Sequence, residues 1–121
     1  MFTLIKSVAG EDNAPADFVI GQPDFFHEGR NAKAEISAYS LNVLMGVTAC
    51  GKGLAVADAW NHRILIWNEK PTNNNQPANI VLGQADFNSG ESNRGKDLPN
   101  ATSIHKLRTT TFDHRKYSLR P

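Results

Sequence analysis

Residues 51–69 read GKGLAVADAWNHRILIWNE, and this stretch decides the fold. Two strand-like runs, residues 54–59 and residues 63–69, lie on either side of the polar link at residues 60–62. Apolar side chains fall on both sides of each run, a pattern typical of a sheet that is covered on two faces. The two runs therefore predict a pair of strands that need a packing partner on each face.

A third strand is expected ahead of this pair. Gly51 and Gly53 permit the positive φ that a tight hairpin needs, and the largely apolar residues 44–50 come directly before them. The three runs together predict a three-stranded antiparallel meander, and the chain is assigned to the all-β class.

An internal repeat organises the rest of the chain. Residues 15–25 read PADFVIGQPDF and residues 77–87 read PANIVLGQADF, so seven of eleven positions are identical at an offset of 62 in the numbering. Identity at this level indicates duplication. Each half of the repeat is predicted to hold a short strand that ends at Gly21 or at Gly83, where the backbone must turn sharply.

Residues 46–67, GVTACGKGLAVADAWNHRILIW, resemble an NHL repeat, the blade unit of NHL-type β-propellers. The likeness consists of a strand ending at Asp58, an Asn-x-Arg turn at Asn61 and Arg63, and the apolar strand that follows. It is specific over residues 41–87. The resemblance implies a ring of about six four-stranded antiparallel blades, of which this single chain carries an incomplete part.

The repeat and the resemblance together divide the chain into five segments. These are the last two strands of a blade over residues 1–25, an inserted loop over residues 26–40, a complete blade over residues 41–87, a loop over residues 88–97, and the start of a further blade with a divergent basic tail over residues 98–121. Residues 98–105 align with residues 41–48 at an offset of 57, so the opening strand of the further blade is expected there.

The resemblance also implies that this chain does not form a complete propeller alone. Two strands alone are marginal in water, and repeat architectures need several units to cover their cores. We therefore expect either a longer propeller or association between copies of this chain. Two blade equivalents per chain would make three chains the natural closure to six blades.

The polar residues Asp58, Asn61 and Arg63 form the most reactive-looking cluster. We predict a structural role, with side chains that hydrogen-bond the turn backbone and each other. Gly21 and Gly83 are predicted to be structural turn residues as well. Trp60 and His62 are the candidates for facing a ligand, and no residue is predicted to be catalytic.

A second polar pattern follows each short strand. Gln22 and Asp24 recur as Gln84 and Asp86, and their duplication favours turn bonding that fixes a crossover over a reaction centre. The Asn- and Pro-rich residues 68–76 predict a surface connection.

Metal ligands and disulfides are not indicated. The four histidines, which are His27, His62, His105 and His114, show no ligand-type spacing. We therefore predict no metal site and no cofactor. The single cysteine, Cys50, rules out an intrachain disulfide framework, and its position at the end of a strand predicts a small buried side chain.

Charge and hydropathy narrow the class of partner. The net charge of +1 argues against a nucleic-acid or anionic-membrane partner, and the basic tail has no aromatic platform for stacking bases. No apolar run approaches the ~20 residues of a membrane span, and residues 1–18 lack a signal peptide. A soluble protein is expected, and its compartment is left open, with export of a longer parent protein included.

The sequence thus predicts a binding or assembly scaffold with an unknown ligand. Its partner would be another copy of the chain or the remainder of a longer propeller, with a protein or a small molecule as ligand. The alternative is part of a propeller enzyme, a lyase or a lactonase-like hydrolase, with a channel site drawn from several blades. An enzyme is the less favoured of the two.

Overall fold

The computed structural model describes residues 2–4, 12–105, 111–113 and 116–120. Within these ranges the regular elements are strands and short 3-10 helices. The strands are β1 (Phe2–Leu4), β2 (Phe18–Ile20), β3 (Leu44–Cys50), β4 (Gly53–Asp58), β5 (Arg63–Trp67), β6 (Ile80–Leu82), β7 (Thr111–Asp113) and β8 (Lys116–Arg120), and the helices are η1 (Arg30–Lys33), η2 (Ala59–Asn61) and η3 (Ser92–Gly95). The all-β class is confirmed for the described part of the chain.

Strands β3 to β6 form one antiparallel sheet in chain order. The predicted meander is confirmed, and the short strand of the second repeat half adds the fourth strand. The first predicted run stops one residue early, at Asp58, because η2 begins at Ala59. The second run stops at Trp67, where the polar residues 68–70 leave the sheet for solvent.

The sheet is buried on both faces, as its apolar alternation predicts. Residues Leu54, Val56, Leu65 and Trp67 point to one side, which we call the first face, and pack with Ile20 of β2. Residues Ala55, Ile64 and Ile66 point to the opposite side, the second face, and pack with Ile104 and other partly buried residues. Burial of this apolar surface at about 25 cal/mol per Å² is the main term that holds the sheet together.

The hairpin between β3 and β4 depends on its glycines. Cys50 pairs with Gly53 across the turn, and Gly51 has a φ of +59°, a conformation that costs little only for glycine. A Cβ on Gly53 would overlap the carbonyl oxygen of Trp67. The close approach of β4 to the end of β5 therefore excludes any side chain at position 53.

The duplication seen in the sequence extends to hydrogen-bond register. Strands β1 and β2 pair antiparallel with Phe2 opposite Ile20, and adding 62 to both numbers gives the observed pair Ile64 and Leu82 of β5 and β6. Helices η1 and η3 are related by the same offset. Each such repeat is called a unit, and a complete unit consists of a four-stranded sheet and the loop that follows it.

The segment over residues 26–40, predicted as an inserted loop, has a counterpart in the next unit. Asn31 and Asn93 have left-handed φ values of +50° and +52° inside η1 and η3. The amide of Asn31 donates to the carbonyl of Leu41, and that of Asn93 to the carbonyl of Ile104. Left-handed turns, rather than right-handed helix, build this segment.

The start of the following unit lies later than the sequence alignment placed it. Residues 98–105 form turns and contain no strand, so the expected opening strand at that position is wrong. Because Ile104 takes the place of Leu41, the structural offset is 63 and not 57. At that offset β7 falls on the end of β3 and β8 falls on β4, and Asp113 pairs with Lys116 as Cys50 pairs with Gly53. Beyond that pair the register shifts, and Phe112 lies opposite Leu119, two residues further along β8 than the Ala49–Leu54 pair implies.

The turn at residues 100–103 explains the difference. The side chain of Asn100 accepts a hydrogen bond from the amide of Thr102, as the Ser37 hydroxyl does from the amide of Tyr39. Both turns are stabilised by side chains that favour turns over strands. One residue has been added between the 3-10 helix and this turn in the second unit, which shifts the offset from 62 to 63.

Among the described residues, none of the helices has the length and apolar character that crossing a membrane requires.

Candidate functional site

The polar cluster of Asp58, Asn61 and Arg63 lies at the turn between β4 and β5. Asp58 ends β4 and pairs in register with Arg63, the first residue of β5. Between them η2 makes a tight connection that ends at His62, whose φ is +52°. This turn brings the three side chains together, and each is at most 1% exposed.

Asp58 accepts three hydrogen bonds. Its donors are the Asn42 amide at 2.6 Å, the Asn61 side-chain amide at 2.8 Å and Arg63 Nε at 2.7 Å. Burial raises the pKa of Asp58 above its ordinary value, and the nearby Arg63 charge opposes this rise. A carboxylate engaged in this way has little freedom to act as a general base.

Arg63 uses the rest of its guanidinium to hold two loops. Nη1 donates to the carbonyl of Phe87 at 2.6 Å, and Nη2 donates to the carbonyls of Ser37 and Ser40, each at 2.9 Å. These carbonyls come from the segments before and after the sheet. A planar fork with several N–H groups suits this task, and a lysine would not reproduce it.

Asn61 and the repeated glutamines hold the loops around the turn. Asn61 Nδ2 donates to Asn31 Oδ1 at 2.8 Å, which ties the turn to η1. Gln84 Nε2 donates to the carbonyls of His62 at 3.0 Å and Glu91 at 2.8 Å. At the equivalent position Gln22 Nε2 donates to the carbonyl of Gly29 at 2.7 Å. The glutamines therefore close their own loops, as turn bonding predicts.

The repeated aspartates also make matching turns. Asp24 accepts from the amide of Phe26 at 2.8 Å and contacts the ring of His27 at 2.7 Å. Asp86 accepts from the amide of Asn88 at 2.9 Å and from the hydroxyl of Ser89 at 2.8 Å. Hydrogen bonds to these side chains lower the pKa of both aspartates.

The two predicted turn glycines have the conformation that favours glycine. Gly21 follows β2 with a φ of +88°, and Gly83 follows β6 with a φ of +92°. A Cβ on Gly21 would lie 2.7 Å from Leu41, and one on Gly83 would lie closer still to Ile104. Backbone conformation and lack of space both exclude a side chain at these positions.

The two candidates for facing a ligand, Trp60 and His62, have different surroundings. Trp60 is 42% exposed, and the Arg30 guanidinium carbon lies 4.5 Å from the centre of its ring, a cation–π contact. His62 stacks on His105 with ring centres 5.1 Å apart and planes at 18°. His105 in turn contacts the hydroxyl of Ser92.

Sequence reasoning missed the histidine pair. His62 and His105 are far apart in the sequence, and no local spacing signal marks residues that meet only because two successive units pack together. Within the described ranges no group of three or more His, Cys, Asp or Glu side chains is placed to hold a metal.

Cys50 differs in part from its prediction. Its side chain is half-buried rather than buried, and it packs at the margin of the second face. The reason is its position at the end of β3, next to the exposed turn at residues 51–52.

The second tryptophan, Trp67, lies in the core. It is 1% exposed, and its indole N–H donates to the carbonyl of Gln76 at 3.1 Å.

A surface cavity of about 410 Å³ lies beside the loop of residues 84–94. Its lining includes Ile36, Gln84, Glu91 and Arg94. Among the described residues, the Gln84 side-chain oxygen and the Arg94 Nε are buried and have no hydrogen-bond partner. An acceptor, a cation and a carboxylate around one cavity would suit a small polar molecule.

The chain matches no protein-family model, no curated protein and no solved structure. Its own two units are therefore the informative comparison. Asn13 and Asn75 share a left-handed φ, and the turns, glutamine bonds and 3-10 helices that follow recur at the same offset. Side chains at equivalent positions thus make the same internal bonds twice.

Proposed function

We propose that this chain is a segment of an NHL-type β-propeller and that it acts as a binding or assembly scaffold. The observation that carries the proposal is the repetition of one unit in sequence and strand register at an offset of 62, together with the recurrence of its loop hydrogen bonds. Stacked repeats of strands that bury both faces against their neighbours are the building plan of propellers and solenoids.

The chemistry of the polar cluster supports a scaffold over an enzyme. Asp58, Asn61 and Arg63 are buried, and their polar atoms bind one another and the carbonyls of neighbouring loops. Catalytic acids and bases need access to substrate. A cluster whose polar atoms are engaged in internal hydrogen bonds stabilises the turn from which the surface loops extend.

Two places on the scaffold are the proposed sites of ligand contact. One is the exposed ring of Trp60 with the Arg30 guanidinium above it, which suits a partner that offers apolar and acidic groups. The other is the cavity beside Gln84 and Arg94, which suits a small polar ligand.

Imaging of the purified chain tests the propeller. We expect class averages from electron microscopy to show a ring of radial blades around a central channel. Particles without a ring or channel would contradict the proposal.

The alternative proposal, a lyase or lactonase-like hydrolase with a channel site, draws on the proximity of His62 and His105. It predicts stoichiometric metal in elemental analysis of purified protein and loss of that metal in the His62→Ala variant. Metal content that His62→Ala does not change would count against an enzyme centred on this pair.

A further inference from the structure

Within the described part of the chain, both two-stranded sheets have strand edges that pair with no other strand. In the sheet of β1 and β2 and in the sheet of β7 and β8, each strand has one partner. The offset of 62 makes β1 the equivalent of β5, and the offset of 63 makes β8 the equivalent of β4. Because β4 pairs with β5 in the four-stranded sheet, the open edge of β8 and the open edge of β1 are complementary.

The two edges of one chain are kept apart by the four-stranded sheet. Ile20 of β2 packs on the first face, whereas Ile104, which precedes β7, packs on the second face. The sheet therefore lies between the first two-stranded sheet and the start of the next unit. Pairing of β8 with β1 needs a second chain.

We propose that β8 of one copy pairs antiparallel with β1 of a second copy, so that two incomplete sheets make one four-stranded unit. This inference rests on the proposed function and names its partner as another copy of this chain. Counted along the chain, the observed pairs Val56–Leu65 and Ala55–Ile66 give the register, and this count does not include the two-residue shift in the β7–β8 ladder between Phe112 and Asp113. At offsets of +63 and −62 they place Leu119 of one copy opposite Thr3 of the next, and Ser118 opposite Leu4.

A second contact supports the same arrangement. The side chain of Asn74 accepts from the amide of Val19, and the amide of Asn75 donates to the carbonyl of Val19, each at 2.9 Å. This loop thus covers the outer edge of β2 in the preceding unit. Its equivalents are Asp12 and Asn13, and Asn13 has the same left-handed φ as Asn75.

In a head-to-tail pair, Asp12 and Asn13 of one copy would lie against β6 of the neighbouring copy. The unit that precedes the shared sheet is the four-stranded sheet of the neighbouring copy, whose outermost strand is β6. Val81 is the equivalent of Val19 there. An Asp12 carboxylate can accept from the Val81 amide as the Asn74 amide oxygen does from Val19.

An exposed apolar residue marks the area that a second copy would cover. Val47 pairs with Val56 across β3 and β4, so it lies on the first face, yet it is 44% exposed. Within one chain, β7 contacts β3. In the assembly, β7 of the neighbouring copy would take the equivalent place on the other side of β3, next to Val47.

Crosslinking between two single-cysteine chains tests the register. In a Cys50→Ser background, Thr3→Cys protein is mixed with Leu119→Cys protein and oxidised mildly. Directly opposed residues in a sheet lie within reach of a disulfide. We expect a crosslinked heterodimer, several-fold more abundant than either homodimer.

The matched control replaces Leu119→Cys with Ser118→Cys, which lies on the opposite face of the strand. Several-fold less heterodimer is expected from this mixture. Equal yields from the two mixtures, or no heterodimer in either, would overturn the proposal.

Two further variants test self-association without crosslinking. Val47→Lys and Asp12→Ala should both weaken self-association on dilution and leave the circular dichroism spectrum unchanged. A folded chain that stays monomeric at all concentrations overturns the proposed partner but not the scaffold. A chain that crosslinks in register but forms no ring in images overturns the propeller but not the pairing.

Discussion

At the scale of single residues, the buried pair of Asp58 and Arg63 decides how the site is interpreted. Buried charges are costly unless they are paired and hydrogen-bonded, and here each charge has its partner at 2.7 Å and further bonds besides. Removal of one member leaves the other charge without its ionic partner. The residues that look most reactive in the sequence are therefore the ones whose loss should affect folding first.

Asp58→Ala and Asn61→Ala should each lower the free energy of unfolding by about 1–3 kcal/mol, the usual cost of leaving a buried polar group without its partner. Urea denaturation followed by circular dichroism measures the change. His27→Ala, which alters an exposed turn, serves as control and should change stability little. An unchanged unfolding midpoint combined with lost ligand binding would show that these residues form a functional site.

The pKa of Asp58 should be shifted in the opposite direction from the pKa values of Asp24 and Asp86. Burial raises the pKa of Asp58, whereas hydrogen bonds lower the pKa of Asp24 and Asp86. Folded Asp58 thus keeps its proton to higher pH than the unfolded chain does, and its effect on stability becomes less favourable as pH rises through that interval. The contributions of Asp24 and Asp86 are present above their unfolded pKa and are lost as pH falls toward the folded pKa.

Carbon-13 NMR of the side-chain carboxyls measures these titrations directly. We expect Asp58 to lose its proton at the highest pH of the three. Titration of Asp58 below Asp24 and Asp86 would mean that the Arg63 charge outweighs burial.

At the scale of secondary structure, the sequence predicts strands better than turns. The strands of residues 44–67 follow from long apolar runs between glycines, and the duplicated PADFVIGQPDF pattern places the short strands. The left-handed turns in η1 and η3 have no comparable signal, because Ala32 and Arg94 adopt positive φ against their own preference. Loop hydrogen bonds and packing with the sheet decide those turns.

The candidate site shows the same division. The local turn of Asp58, Asn61 and Arg63 could be predicted because its members are close in sequence. The carbonyls that Arg63 binds come from loops that are distant along the chain, and so does the His105 ring that contacts His62. A one-residue insertion also shifted the true offset of the third unit, so alignment by residue type placed its first strand too early.

Gly83→Val should be far more damaging than Ala85→Val, although the two positions are close neighbours. Gly83 has a φ of +92°, and its Cβ would meet Ile104, so a β-branched residue there is both strained and without space. Ala85 is exposed. Thermal melts of the two variants measure the difference, and equal melting temperatures would contradict the assigned role of the Gly83 turn.

At the scale of the whole molecule, the described strands amount to two four-stranded units if the end sheets combine between copies. A head-to-tail contact of this kind closes into a ring or grows into a filament. Exposed strand edges otherwise promote aggregation. Closure would therefore provide both a complete core and protection of the edges.

Light scattering of dilute protein should give the mass of a closed assembly, and three chains would supply the six blades that the NHL resemblance implies. Val47→Lys should shift this mass toward the monomer because a charge would be buried between copies. Leu98→Lys, at a residue that is 77% exposed, is the control and should leave the mass unchanged. A compact wild-type monomer would contradict the expected closure.

The loop that reaches back to Val19 gives this assembly a local reporter. The Val19 amide is bonded to Asn74, which lies far along the chain in the next unit, so it can exchange its hydrogen with water only when that loop opens. The Val81 amide occupies the equivalent place on β6, where Asp12 of a neighbouring copy would protect it. Hydrogen exchange at Val19 should therefore be independent of protein concentration, whereas exchange at Val81 should slow as concentration rises.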